Sequence, residues 1–120
     1  PHTADEKNSS MVKAPFGIVG METAAALTYT ELVLGGYLTP MQMVEKMSYN
    51  PAQILHLKKG TLEEGRMADV MLFDPECTYA IDKNKFWSKA KNTPFQGRKV
   101  TGKVMMTICD GKIVYDAAEE

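Results

Sequence analysis

Cysteine and histidine are scarce in this chain: its 120 residues include two of each. Cys77 and Cys109 lie far apart, with no Cys-x-x-Cys pair and no Cys/His grouping. A zinc knuckle is therefore unsupported and a disulfide cannot be inferred, so both thiols are expected to be reduced. Long apolar runs are also missing. No stretch approaches the ~20 residues that span a bilayer, and the N-terminus lacks the basic-then-apolar pattern of a secretion signal, so a cytoplasmic location is expected. An excess of one charge is missing as well, since 14 basic against 15 acidic residues leave a net charge of −1. Such a chain has no global field with which to attract nucleic acid or an anionic membrane. Internal repeats and low-complexity tracts are absent.

What is present is the composition of a globular protein, 44% apolar and 24% charged, with a change of pattern near residue 58. Residues 1–16 are polar and read as loop. Residues 21–34 form a mostly apolar helix that stops at Gly35-Gly36, the residue type that ends helices. Thr39-Pro40-Met41-Gln42 supplies an N-cap hydroxyl, a proline at the first helical position and a glutamine at the third, starting a second helix that runs to about Met47. Asn50-Pro51-Ala52-Gln53 repeats that logic for a short third helix. From Lys59 onward, Gly60 and Gly65 bracket turn-rich sequence. Val70-Met71-Leu72-Phe73 then reads as a short strand ended by Asp74-Pro75, and residues 79–81 as a second. Asp110-Gly111, between residues 104–109 and 112–115, is the strongest hairpin signal, because Asp-Gly suits the type I′ turn whose twist matches that of the strands. A remnant of two or three strands has exposed edges, and aggregation is expected where partner strands are lacking.

The run Ala14-Pro15-Phe16-Gly17-Ile18-Val19-Gly20-Met21-Glu22-Thr23, preceded by Pro1-His2 and Glu6-Lys7, carries most of the functional information. Gly17 and Gly20 flank the apolar pair Ile18-Val19, and glycine permits positive φ or a close approach to a ligand. Good helix formers begin at Met21. A glycine-containing loop at a helix N-terminus leaves backbone N–H groups unpaired, which suits a carboxylate, a phosphate or a polarised carbonyl. On the glycines alone, a surface loop with ordinary turn glycines is an equal reading.

The order of these residues resembles the dihydroorotases of the amidohydrolase superfamily, in which an Asp-His-Ala-Pro-His segment closes the last barrel strand. Pro1-His2 matches the end of that segment, and Glu6-Lys7 matches the acidic-plus-Lys pair that follows. Residues 14–23 match the loop into the last barrel helix. Asn50-Pro51-Ala52-Gln53-Ile54-Leu55, Gly65 with Ala68-Asp69-Val70, Asn92-Thr93-Pro94-Phe95 and Gly111-Lys112-Ile113-Val114-Tyr115 follow in the family's order, so the resemblance covers essentially the whole chain. The Asn-Pro-Ala and Ala-Asp-Val elements recur across cyclic amidohydrolases. Pro1-His2 and the Pro-Phe-Gly-Ile-Val-Gly loop point to dihydroorotase over hydantoinase or allantoinase.

The resemblance implies an α/β fold. Residues 1–58 would be the C-terminal part of a (β/α)₈ metal-dependent hydrolase barrel, its last loop and helices, with the helix from Met21 packed on a barrel strand. Residues 59–120 would be the C-terminal strands of an accessory β-sandwich. A barrel of this type needs ~250 residues, so the chain is expected to be a C-terminal piece of a longer enzyme. The implied activity is the reversible cyclisation of N-carbamoyl-L-aspartate to L-dihydroorotate in de novo pyrimidine biosynthesis, with a hydroxide activated by two zinc ions that polarise the amide carbonyl. The family's ligands are a His-x-His pair, a carbamoylated lysine, later histidines and a proton-shuttling Asp. None of them matches a position here, and the general-base Asp is expected just ahead of Pro1. No catalytic residue or metal ligand is therefore expected in this chain, which by itself is expected to be inactive.

By motif, His2 resembles the histidine that hydrogen-bonds the substrate carboxylate. Phe16 and Gly17 resemble the positions whose backbone groups hold the ring amide and carbonyl. For Phe16 a plain core aromatic is the competing reading. The implied partners are the small-molecule substrate, the remainder of the same polypeptide, and a second copy or aspartate carbamoyltransferase. Two other functions compete: a non-catalytic dihydroorotase-like scaffold subunit of aspartate carbamoyltransferase, or another cyclic amidohydrolase acting on hydantoin, dihydropyrimidine or allantoin.

The remaining candidates read as structural. His56 has no second ligand at metal-binding spacing and reads as a helix histidine. Glu22, in the first turn of a helix, is favoured by the macrodipole. Lys83, Lys85, Phe86, Trp87, Lys89 and Lys91 interleave basic and aromatic residues as single-strand nucleic-acid binders do. The balanced overall charge favours instead a solvated face with two aromatic anchors. The nine methionines read as soft core filling.

Overall fold

The computed structural model describes residues 2–119; Pro1, half of the opening motif, lies outside them. The segment read as loop begins with a one-turn helix, α1 (Ala4–Lys7). Its cause is a capping box. The Glu6 N–H donates to Thr3 Oγ1 at 3.2 Å, while the Glu6 carboxylate takes the Thr3 N–H at 2.7 Å. The Thr3 N–H, and with it the Thr3 hydroxyl at 3.0 Å, donates to the Glu6 carboxylate and holds that carboxyl below its usual range.

Helix α2 (Met21–Thr28) follows the loop and continues as a wider π-helical turn, Tyr29–Val33, before the chain leaves at Gly35-Gly36, where Gly36 takes φ +78°. The helix therefore ends where the glycines predict, but it is not α-helical throughout. The widened turn contains Thr30, whose hydroxyl accepts the Thr101 N–H at 2.9 Å and shares its proton between Ala26 O at 2.8 Å and Thr101 O at 3.0 Å. A side chain engaged with a neighbouring element at this point accounts for the departure from the α ladder.

Helix α3 (Pro40–Val44) starts at Thr39 with the cap read from the sequence, Gln42 N–H to Thr39 Oγ1 at 3.2 Å and Thr39 N–H to Gln42 Oε1 at 2.8 Å. It does not stop near Met47. A second π turn, Glu45–Tyr49, carries it without a break into α4 (Asn50–Ile54). Asn50 is thus not an N-cap, and the third helix is not separate. Pro51 has no N–H for the ladder and crowds the turn before it, and the widened turn directly ahead accommodates both.

A Schellman motif closes α4, with the Leu57 N–H on Ala52 O at 2.8 Å and the His56 N–H on Gln53 O at 3.1 Å. His56 is therefore a C-terminal cap at φ +53° rather than a helix residue, in a position that glycine occupies at least strain. His56→Gly is expected to raise stability by about 1 kcal/mol, read as a higher urea midpoint at unchanged m value.

Three strands, β1 (Val70–Ala80), β2 (Lys99–Cys109) and β3 (Lys112–Asp116), form one antiparallel sheet in the order β1-β2-β3. The two strands expected on either side of Asp74-Pro75 are one. Pro75 is tolerated because β1 lies at a sheet edge and its register slips between Asp74 and Thr78, so the missing N–H falls in a bulge rather than in the ladder. Asp74 Oδ1 closes the bulge by accepting from the Glu76 and Cys77 N–H groups at 2.8 and 3.3 Å.

The Asp110-Gly111 turn forms as predicted, with both residues at positive φ, 49° and 73°, as type I′ requires. Asp69 braces it. Asp110 N–H donates to Asp69 Oδ1 at 2.8 Å, Gly111 N–H donates to Ala68 O at 3.0 Å, and Lys59 pairs with Asp69. The Lys59 ammonium holds the Asp69 carboxyl below its usual range. The Ala-Asp-Val and Gly-Lys-Ile-Val-Tyr motifs are thus two sides of one turn.

Ala26 of α2 meets Ile81 and Val100 in the core, flanked by Leu27, Tyr79, Phe86 and Phe95. The helix packs on β2, a strand of the antiparallel sheet, where a barrel strand was expected. Of the methionines read as core, Met43 is buried, whereas Met11, Met21 and Met41 are exposed. Cys77 and Cys109 are free thiols. Among the described residues no helix is long and apolar enough to cross a membrane.

Candidate functional site

Lys7, the last residue of α1, organises the loop that follows. Its ammonium donates to the carbonyls of Pro15, Phe16 and Gly17 at 2.8, 2.9 and 2.8 Å. An ammonium has three protons and no acceptor, so these carbonyls use its full capacity. Within this turn Gly17 takes φ +96°, a conformation that glycine adopts without strain.

Asn92 holds the loop from a second direction. Its Nδ2 donates to Gly17 O at 3.0 Å, and the Val19 N–H returns to Asn92 O at 3.3 Å. The segment carrying Asn92 is tied in turn to α2, because the Glu22 carboxylate accepts the N–H groups of Trp87 and Ser88, each at 2.9 Å. Lys91 closes that segment on Phe86 O at 2.6 Å. With its carbonyls taken, the loop offers donors. The N–H groups of Phe16, Gly17 and Ile18 have no hydrogen-bond partner among the described residues, which suits an acceptor such as a carbonyl or carboxylate oxygen.

The family model for amidohydrolases matches residues 3–114, a span that takes in α1, the clamped loop and the sheet. The chain belongs to the amidohydrolase family. It is 48% identical over 117 residues to a dihydroorotase of Clostridioides difficile (strain 630), covering 98% of this chain and 27% of that protein. It is 47% identical over 116 residues to a dihydroorotase of Bacillus subtilis (strain 168), covering 97% and 27%. Among solved structures it superposes on an L-hydantoinase (dihydropyrimidinase) from Arthrobacter aurescens with a TM-score of 0.81 at 34% identity, over 88% of this chain and 24% of that one. The match to a D-hydantoinase (dihydropyrimidinase) from Thermus sp. has a TM-score of 0.85 at 25% identity, over 97% and 26%. This amidohydrolase chain therefore spans about a quarter of the length of the relatives it matches.

Within the amidohydrolase chain, the residues expected to meet substrate are placed unequally. Gly17 lies at the centre of the clamp. The Phe16 side chain is 100% exposed, so among the described residues it packs on nothing and it is the main chain that is held. His2 is exposed, with Nδ1 at 3.8 Å from Oε2 of Glu6, the residue before Lys7. Trp87 is 78% exposed, so of the two expected aromatic anchors Phe86 packs on the core and Trp87 does not.

Glu22 is structural, as read, but through its bonds to residues 87–88 rather than through the macrodipole alone. Lys7 and Asn92 belonged to recognised motifs without an assigned role; their pairing with the loop was the signal that the separate motifs did not reveal. Among the described residues no three His, Cys, Asp or Glu side chains converge, so these residues do not by themselves make up the donor set of a zinc centre.

Proposed function

We propose that these residues form the substrate-facing loop and adjoining sheet of a dihydroorotase, which interconverts N-carbamoyl-L-aspartate and L-dihydroorotate. The observation that carries this reading is the clamped loop 15–17, whose open N–H groups suit a cyclic amide, in a chain 47–48% identical to dihydroorotases. Identity to the hydantoinases is lower, 25–34%, which favours dihydroorotate over hydantoin or dihydropyrimidine.

In this reading the main-chain N–H groups of Phe16 and Gly17 hold the ring amide and carbonyl, and the His2 imidazole donates to the substrate carboxylate. Their contribution is to orient the ring before it opens or closes. Residues 1–58 are then the end of a (β/α)₈ barrel and residues 59–120 strands of a β-sandwich. The two zinc ions and the general-base Asp are contributed from outside these residues. The exposure of Met11, Val12 and Met21 agrees with a surface that the rest of such an enzyme would cover. A cytoplasmic location, and a second copy or aspartate carbamoyltransferase as partner, belong to the same proposal.

The full-length protein carrying this sequence is expected to turn over L-dihydroorotate in preference to hydantoin and allantoin. The isolated 1–120 polypeptide is expected to show neither turnover nor stoichiometric zinc. Hydrolysis of hydantoin without hydrolysis of dihydroorotate by the full-length protein would overturn the substrate assignment, and turnover by the mass-verified 1–120 polypeptide would overturn the division of labour.

A further inference from the structure

We infer that Lys7 is a positioning residue for substrate: by gathering the carbonyls of Pro15, Phe16 and Gly17 it turns the N–H groups of Phe16, Gly17 and Ile18 towards the ligand. In a trans peptide the C=O of one residue and the N–H of the next point in opposite directions, and there is no cis bond among the described residues. The carbonyls bound by Lys7 therefore place three successive N–H groups on the side away from the ammonium. Those groups have no partner among the described residues; because their carbonyls converge on one nitrogen the N–H groups fan outward, so each meets a separate acceptor oxygen rather than all three the same one.

Among the described residues no other group bonds all three of these carbonyls. Phe16 contributes no buried side chain to anchor its backbone, and a glycine reorients its peptide planes at small cost. Asn92 Nδ2 reaches the Gly17 carbonyl alone. A flip of the 15–16 or 16–17 peptide would present a carbonyl where the ligand needs a donor, with loss of the hydrogen bond and repulsion in its place. Lys7 can prevent this because its own helix turn is held by the Thr3–Glu6 capping box. Arginine would not substitute fully, since its planar fork cannot converge on three carbonyls as a tetrahedral ammonium does.

For the identity of the ligand this inference rests on the dihydroorotase reading; the loop geometry does not. The test uses the full-length protein with two variants. Lys7→Met keeps an apolar stem without donors and is expected to raise KM for dihydroorotate by about tenfold or more, with kcat within about threefold. Its Tm is expected to hold within about 2 °C, and chymotryptic cleavage after the exposed Phe16 is expected to quicken by about fivefold or more as the loop loosens. Lys7→Arg is expected to fall between Lys7→Met and the unsubstituted protein in both KM and cleavage, and it decides the matter should Lys7→Met not fold. Unchanged KM and cleavage in a folded Lys7→Met protein would overturn the inference. So would a common fall in Tm and kcat in both variants at constant KM, the signature of a purely structural tie. Absence of dihydroorotate turnover in the unsubstituted protein overturns the dihydroorotase reading instead, and the cleavage rates then decide the role of Lys7 by themselves.

Discussion

Gly102→Ala is expected to destabilise the folded chain by about 2–5 kcal/mol, the sum of a backbone penalty of about 1–2 and an overpacking penalty of about 1–3. Gly102 lies within β2 at φ +99°, a conformation that any side chain strains. A Cβ there would overlap Phe73 Cζ and crowd Tyr29 Cδ1 at 3.1 Å. Phe73 cannot swing aside freely, because its ring packs edge-on against Tyr29 with centroids 5.3 Å apart and planes at 66°. The residue also falls at a break in pairing, between Thr101, opposite Thr78, and Lys103, opposite Asp74. The close approach of α2 to the sheet thus depends on a position with no side chain. Urea titrations of Gly102→Ala, Phe73→Leu and the double variant separate the two penalties: the shorter leucine side chain in the Phe73→Leu background should relieve the clash but not the backbone strain.

The second large effect is expected at Ile81, which is 2% exposed. Ile81→Ala removes the bulkiest member of the cluster formed with Ala26 and Val100, and a loss of about 2–5 kcal/mol is expected, against about 0.5–1.5 for Ile81→Val. Against a typical total of about 5–15 kcal/mol, that loss is a large share of the stability and lowers the melting temperature markedly. The backbone at this residue compounds the effect. Its N–H donates to Arg98 O at 3.0 Å and its C=O accepts from Gly97 at 2.8 Å, so relaxation around the cavity is passed to the turn that follows Phe95. Thermal melts followed by circular dichroism check the order wild type, Ile81→Val, Ile81→Ala; an alanine variant as stable as the valine one would show that Ile81 is not the keystone of the cluster.

The parts of the fold that could be read in advance are those whose partners lie a few residues apart. The Thr39–Gln42 cap, the Gly35-Gly36 stop and the Asp110-Gly111 turn all formed as the local rules require. The Thr3–Glu6 box obeys the same rule but sits in four residues with no apolar periodicity, so the segment reads as loop unless the cap itself is searched for. Prolines misled the reading twice. Pro75 interrupts a strand only if its N–H is needed by a neighbour, and at a bulged edge it is not; Pro51 ends a helix only if the turn before it cannot widen, and here it does. In both cases the local signal was correct about the missing donor and silent about whether it mattered.

Family membership, the Thr39–Gln42 cap and the Asp110-Gly111 hairpin were determined by the sequence alone, because each depends on residue order or on the φ and ψ preferences of adjacent residues. The clamp that shapes the loop was decided by the tertiary structure. Lys7 bonds carbonyls 8 to 10 residues on, Asn92 reaches Gly17 across 75 residues, and Glu22 holds Trp87 and Ser88 across 65 and 66. A hydrogen bond between distant segments leaves no periodicity or spacing in the chain; it exists only once α2 has closed on β2 and brought the two ends of the site together.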